Sequence, residues 1–213
     1  MSMIGIYDYT VIATYLATIV SVFGIFESIK GNIIAAVFCL EVSGLLDTVD
    51  GRIARTKKNR SSIAKNFGIQ IDSLNDVICF GICPAVIAYN IYAQKVSADV
   101  PMWYIAVLCF YVLCGLIRLA YFNVLEGERA GGKSNERPGY VGLPITSASA
   151  FFPLMCVLVS VLDNSRIIMV LFPLVIAVLF IAPIKVAKPS TKTAAILVFI
   201  VLALQVLLLY TWD

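Results

Sequence analysis

Histidine is absent from the 213-residue sequence. That removes the commonest zinc ligand, and the six cysteines are too scattered to replace it: no CxxC pair exists, and each thiol falls inside an apolar stretch. Small buried thiols without disulfides are the expectation. Charge is also scarce, at 14% of residues against 61% hydrophobic, with a mean hydropathy of +0.94. A soluble globular domain is excluded by that balance. The apolar runs show no alternation of apolar and polar residues, which excludes a membrane β-barrel and leaves helices as the only spanning structure. Internal repeats, low-complexity tracts and polar segments of domain size are missing too. The chain therefore reads as a single membrane domain over residues 1–213.

What is present is a series of apolar stretches near the roughly 20 residues that cross a bilayer core. They run Tyr9–Phe26, Gly31–Leu46, Phe67–Tyr92, Met102–Phe122, Leu143–Leu162, Ile167–Ile184 and Ala194–Tyr210. The fold class predicted is an all-α polytopic bundle of about seven transmembrane helices, within a range of six to eight. The first stretch lacks a charged n-region and a small-residue cleavage site, so it reads as a structural helix. Basic residues set the orientation. Arg52 to Lys65, Arg129 to Arg137 and Lys185 to Lys192 follow the second, fourth and sixth spans, whereas the other side has only Lys30, Lys95 and Arg166. This bias puts the richer connections and the N-terminus in the cytoplasm of a multi-pass cell-membrane protein.

Against this apolar background the aspartates stand out. Asp47 and Asp50 lie at the inner end of the second span, and Asp72 and Asp76 lie two to three turns into the third, at similar depth in the inner leaflet. Spacings of three and four place each pair on one helical face. Carboxylates near hydrocarbon are costly enough to imply a function, and four together imply cations. Two divalent ions, Mg²⁺ or Mn²⁺, would neutralise them, an arrangement that recurs in phosphoryl displacement. Gly51, Ala54 and Gly68 remove bulk beside the acids, either for a ligand or for helix packing, and Arg55 adds a donor fork suited to phosphate.

The pattern Asp47-x-x-Asp50-Gly51-x-x-Ala54-Arg55, followed by Gly68-x-x-x-Asp72-x-x-x-Asp76, resembles the signature of the CDP-alcohol phosphotransferases. Asp72-Ser73-Leu74-Asn75-Asp76, Cys79-Phe80-Gly81, Cys83-Pro84-Ala85, Arg118-x-x-x-Phe122-Asn123-Val124 and Gly142-Leu143-Pro144 are similar to members that use L-serine as the alcohol. The resemblance implies transfer of a phosphatidyl group from CDP-diacylglycerol to the serine hydroxyl, with CMP released, in a homodimer among membrane lipids. It implies Asp47, Asp50, Asp72 and Asp76 as metal ligands and Asp76 also as the base. Gly51, Ala54, Arg55, Ser61 and Gly68 would contact CDP-diacylglycerol.

Other readings remain open. Arg118 either snorkels to headgroups or meets the serine carboxylate or the substrate phosphate, and Glu41 lines the cavity or pairs with Arg118. The Lys57–Lys65 cluster sets topology and touches anionic lipid at about 1 kcal/mol per cation, with no need of nucleic acid. Glycerol 3-phosphate or inositol phosphate as acceptor would need more cations than Arg118 supplies. A cation transporter lacks the outer half of its path, because no acid continues through the later spans.

Overall fold

Asp8 starts the first helix. Its carboxylate accepts from the Thr10 backbone N–H at 2.8 Å and from the Thr10 hydroxyl, and it pairs with Lys57 Nζ at 2.9 Å. Helix α1, Tyr9–Ile29, follows, and Asn32 caps helix α2, Ile33–Thr56. The computed structural model describes residues 4–57, 61–130, 140–186 and 191–212. Within these, α2 runs past the apolar limit at Leu46: charged residues end the hydrophobic signal, but they do not end the backbone ladder.

Ser61 caps helix α3, Ser62–Asp76, accepting from the Ala64 N–H at 3.1 Å. A π-helical segment, Val77–Ile82, joins it to α4, Cys83–Lys95, so the third span is one interrupted helix. The interruption has a local cause. Pro84 has no N–H to give to the carbonyl of Phe80, and the ladder instead skips a residue, with Cys83 N–H bonding Ile78 O. The buried Tyr111 hydroxyl donates to the freed Phe80 carbonyl at 2.6 Å. Sequence reading had no expectation of this turn.

Helix α5, Met102–Ala130, contributes Tyr111 and extends beyond the expected Phe122. Residues Tyr140–Val141 (β1) and Lys185–Val186 (β2) form a minimal antiparallel pair, with Tyr140 opposite Val186. Between them lie a 3₁₀ turn, Ile145–Ser147, and helices α6, Ala148–Val161, and α7, Ser165–Ile181; α8, Thr191–Thr211, closes the chain order. At Gly142 φ is +79°, and a Cβ there would collide with the Phe180 carbonyl, so glycine is required where β1 passes the end of α7.

The fold is all-α in class, and the expected spans each fall on observed helices. Three of these, Tyr9–Ile29, Ser62–Lys95 and Met102–Glu128, are long and apolar enough to cross a membrane; α6, α7 and the described end of α8 are shorter apolar helices. Small residues set the α1–α2 crossing. A Cβ at Gly24 would stand 2.7 Å from the Cys39 Cβ, so α1 and α2 pack backbone against backbone. The central core collects Leu40, Phe80, Ile87, Tyr111, Phe152 and Phe180. Exposed Phe199, Leu209 and Tyr210 on α8 suit a lipid environment. Close contact of α1 with α2 and α3 is what brings the polar positions of three helices together.

Candidate active site

Two helices supply the carboxylates, and their spacing dictates how they meet. Asp47 and Asp50 sit on one face of α2, Asp72 and Asp76 on one face of α3. Where the faces meet, one carboxylate oxygen each from Asp47, Asp50 and Asp72 lies within 4.8 Å of the others. Asp47 also reaches the side chain of Asp76, and Asp50 that of Asp72. Asp50 and Asp76 are buried. Asp72 Oδ1 and Asp76 Oδ1 have no hydrogen-bond partner among the described residues.

Carboxylates this close repel one another in a low dielectric, so the cluster holds together only with protons or cations between its members. An all-oxygen donor set with orphaned lone pairs and no nitrogen or sulfur ligand fits a hard divalent ion. The site therefore passes the chemical test for the metal that the sequence implies.

Helix α1 adds a contribution that the sequence reading missed. Thr14 Oγ1 donates to Asp50 Oδ2 at 3.0 Å, and Thr18 Oγ1 donates to Asn75 Oδ1 at 2.7 Å beside Asp76. Cys79 Sγ lies 3.1 Å from the same Asn75 oxygen. The signal was available: Thr10, Thr14 and Thr18 recur every four residues in the first, otherwise apolar half of the helix, which marks one polar face.

A cavity of about 150 Å³ opens beside the acids, lined by Thr10, Thr14, Asp50, Gly51, Lys65, Gly68 and Asp72 among others. Gly51 and Gly68 thus both border open space next to the carboxylates. Lys65, read from sequence as part of a lipid-facing cluster, lines this cavity as well. Ser61 caps α3 and is not among the lining residues. Ala54 and Arg55 belong to α2 one turn past Gly51, and their side chains lie outside the described residues.

Arg118 is buried on α5, with Cζ 5.1 Å from the centre of the Phe122 ring, and its charge is felt at Asp47. A guanidinium snorkelling to headgroups would be exposed, so that reading falls. Glu41 is buried too, and neither of its oxygens finds a hydrogen-bond partner among the described residues, so the expected alternative of a Glu41–Arg118 pair is absent. Asn123 Nδ2 donates to Ser73 Oγ at 2.7 Å, tying α5 to α3 beside Asp72.

The aspartates that α2 and α3 bring together are those of the motif that resembles the CDP-alcohol phosphotransferases. Residues 9–181 match the family model for CDP-alcohol phosphatidyltransferases, and the chain belongs to that family. It is 42% identical over 124 residues to an archaetidylserine synthase from Methanothermobacter thermautotrophicus, covering 57% of this chain and 46% of that protein. It is 30% identical over 151 residues to a CDP-diacylglycerol–serine O-phosphatidyltransferase of Methanocaldococcus jannaschii, covering 71% and 63%. For the enzyme of the same name from Helicobacter pylori the identity is 36% over 140 residues, covering 66% and 52%. The chain thus spans about half to three fifths of the length of these relatives.

Proposed function

We propose that the protein is a CDP-diacylglycerol–serine O-phosphatidyltransferase, acting as one membrane unit over residues 1–213 and as a homodimer. The observation that carries this reading is the meeting of the α2 and α3 aspartates beside a cavity with two glycines and a lysine. The serine-named relatives support the choice of alcohol.

Asp47, Asp50, Asp72 and Asp76 would hold two divalent cations, Mg²⁺ or Mn²⁺, which when bound supply charge neutralisation for the pyrophosphate and the developing phosphorane. The nucleotide end of CDP-diacylglycerol occupies the cavity over Gly51 and Gly68, where the missing side chains let it approach. Lys65, which lines the cavity, would meet its phosphates, and the family resemblance adds Arg55, Ala54 and Ser61 as contacts to CDP-diacylglycerol. The serine hydroxyl attacks the phosphorus that carries diacylglycerol, in line with the bond to the CMP oxygen. That P–O bond breaks as the new one forms, and CMP departs with the electron pair. Asp76 accepts the hydroxyl proton as attack proceeds, because a neutral serine hydroxyl is a poor nucleophile. Arg118, buried within range of Asp47, is the acceptor-side cation for the serine carboxylate. The reaction faces the cytoplasm from the inner leaflet of the cell membrane, in line with the distribution of basic residues.

The test is an acceptor screen. Purified protein in mixed micelles with CDP-diacylglycerol is offered L-serine, glycerol 3-phosphate and inositol phosphate, and lipid products are identified by mass spectrometry beside CMP release. Phosphatidylserine with equimolar CMP is expected. A phosphatidyl product on either phosphorylated alcohol, with none on serine, would replace the acceptor.

A further inference from the structure

One turn of α3 carries a buried donor and a buried acceptor that are both unpaired. Asn75 is 2% exposed, and its Nδ2 has no hydrogen-bond partner among the described residues. Asp72 Oδ1 is buried and without a partner in the same way. Leaving such a group unsatisfied costs about 1–3 kcal/mol, which favours any arrangement that joins the two. Residues three apart share a helical face, with Cβ atoms about 5–6 Å from each other. Asp76 Oδ1 is unpaired as well, but consecutive residues project about 100° apart around the helix, so Asp76 does not face its neighbour. Asp72 is the carboxylate that the Asn75 amide can serve.

That amide is held by its oxygen. Thr18 Oγ1, on α1, donates to Asn75 Oδ1 at 2.7 Å, and Cys79 Sγ, one turn further along the third span, lies 3.1 Å from the same atom. With Oδ1 engaged by these two donors, the planar group turns its N–H bonds away from them. The reverse orientation would set Oδ1 on the side of Asp72, acceptor against acceptor. A carboxylate that gives one oxygen to a metal is steadied by a donor on the other, and Asp50 has such a donor in Thr14. Asp72, which shares the cluster with Asp47 and Asp50, has its counterpart in Asn75. We propose that Asn75 is the positioning residue for Asp72: with the cation bound, its Nδ2 donates to the Asp72 carboxylate, and Thr18 aims the amide. The inference rests on the metal reading above. It makes α1 the common support of both helices, Thr14 acting directly on Asp50 and Thr18 acting through Asn75 on Asp72.

The experiment is a double-mutant cycle read by Mn²⁺ binding, measured calorimetrically on the purified chain in detergent with neither substrate present. Asn75→Leu keeps the approximate size and removes both N–H donors; Thr18→Val keeps the branched shape and removes the hydroxyl. Asn75→Leu should raise the Kd for Mn²⁺ by about 10- to 100-fold, the usual effect of an outer-shell partner. Thr18→Val should raise it by about 3- to 10-fold, as expected for one neutral hydrogen bond, and Thr18→Ser should stay within about twofold of wild type. Because Thr18 acts only through the amide, adding Thr18→Val to Asn75→Leu should change the Kd by no more than about twofold.

An Mn²⁺ Kd within about twofold of wild type in a folded Asn75→Leu variant overturns this inference and leaves the metal site standing. A lowered melting temperature with the Kd unmoved is the mark of a packing role and overturns it equally. Independent, additive losses in the double variant overturn the route from Thr18 through Asn75. If Asn75→Leu does not fold, Thr18→Val against Thr18→Ser decides, and equal Mn²⁺ affinities in the two overturn the proposal. Failure of wild type itself to bind Mn²⁺ would overturn this inference and the metal reading together.

Discussion

Thr14→Val is the sharpest test of how α1 serves the carboxylates. Valine keeps the branched shape and removes only the hydroxyl that donates to Asp50 Oδ2 at 3.0 Å. Asp50 is buried, so water does not replace the lost donor. A hydrogen bond to a charged group contributes about 1.5–3 kcal/mol, and outer-shell partners of metal ligands typically change affinity or activity by about 10- to 100-fold. Thr14→Val should therefore raise the half-saturating Mg²⁺ or Mn²⁺ concentration by at least about tenfold, while Thr14→Ser stays near wild type. The assay is initial rate against metal concentration at saturating CDP-diacylglycerol and serine. A thermal unfolding scan in detergent serves as the control for folding. Metal dependence unchanged within about twofold in Thr14→Val would refute a role for α1 in holding Asp50.

Three further outcomes follow from other parts of the molecule. Asp76→Asn should retain calorimetric binding of CDP-diacylglycerol while single-turnover product formation falls by about 10² to 10⁴; a common factor in both would make Asp76 mainly a metal ligand. Tyr111→Phe leaves the Phe80 carbonyl unpaired inside the bundle and should cost about 1–3 kcal/mol in a detergent denaturation series, against no change if the π-helical segment does not depend on that bond. The Thr10 hydroxyl and then Lys57 hold the Asp8 carboxyl down to about 2, below its unfolded value, so its contribution is full above about pH 4 and is lost as pH falls toward 2. Asp8→Ala should thus unfold earlier than wild type at pH 6, with the two melting temperatures converging at the acid end; a constant gap at all pH would refute the linkage.

The strongest sequence signals were those that depend on helix period. Spacings of three and four placed each aspartate pair on one face, and continuous apolar runs placed the helices. Boundaries were less legible. The polar stretch from Asp47 to Arg55 ends hydrophobicity without ending helical hydrogen bonding, so α2 runs to Thr56. Pro84 lies inside the continuous apolar run that reads as one span, and only the packed Tyr111 shows that the ladder breaks there as a π turn. Thr14 and Thr18 were ambiguous because a threonine in an apolar helix also bonds its own backbone, as Thr18 does to the Thr14 carbonyl at 3.1 Å. Lys65 read as one cation among many, since periodicity in α3 does not reveal which exposed lysine faces a cavity. Glu41 was visible as an intramembrane acid, but its surroundings come from α6 and α8, far along the chain.

The central claim is that the aspartates of α2 and α3 form one metal-dependent reaction centre. The most direct measurement is phosphatidylserine formation against Mg²⁺ concentration for wild type and for Asp47→Asn, Asp50→Asn and Asp72→Asn, each keeping side-chain size and losing one charged oxygen. The account predicts collapse of turnover in every variant at low Mg²⁺, together with weaker divalent-ion binding by calorimetry. Near-wild-type turnover in all three at low Mg²⁺ would contradict it.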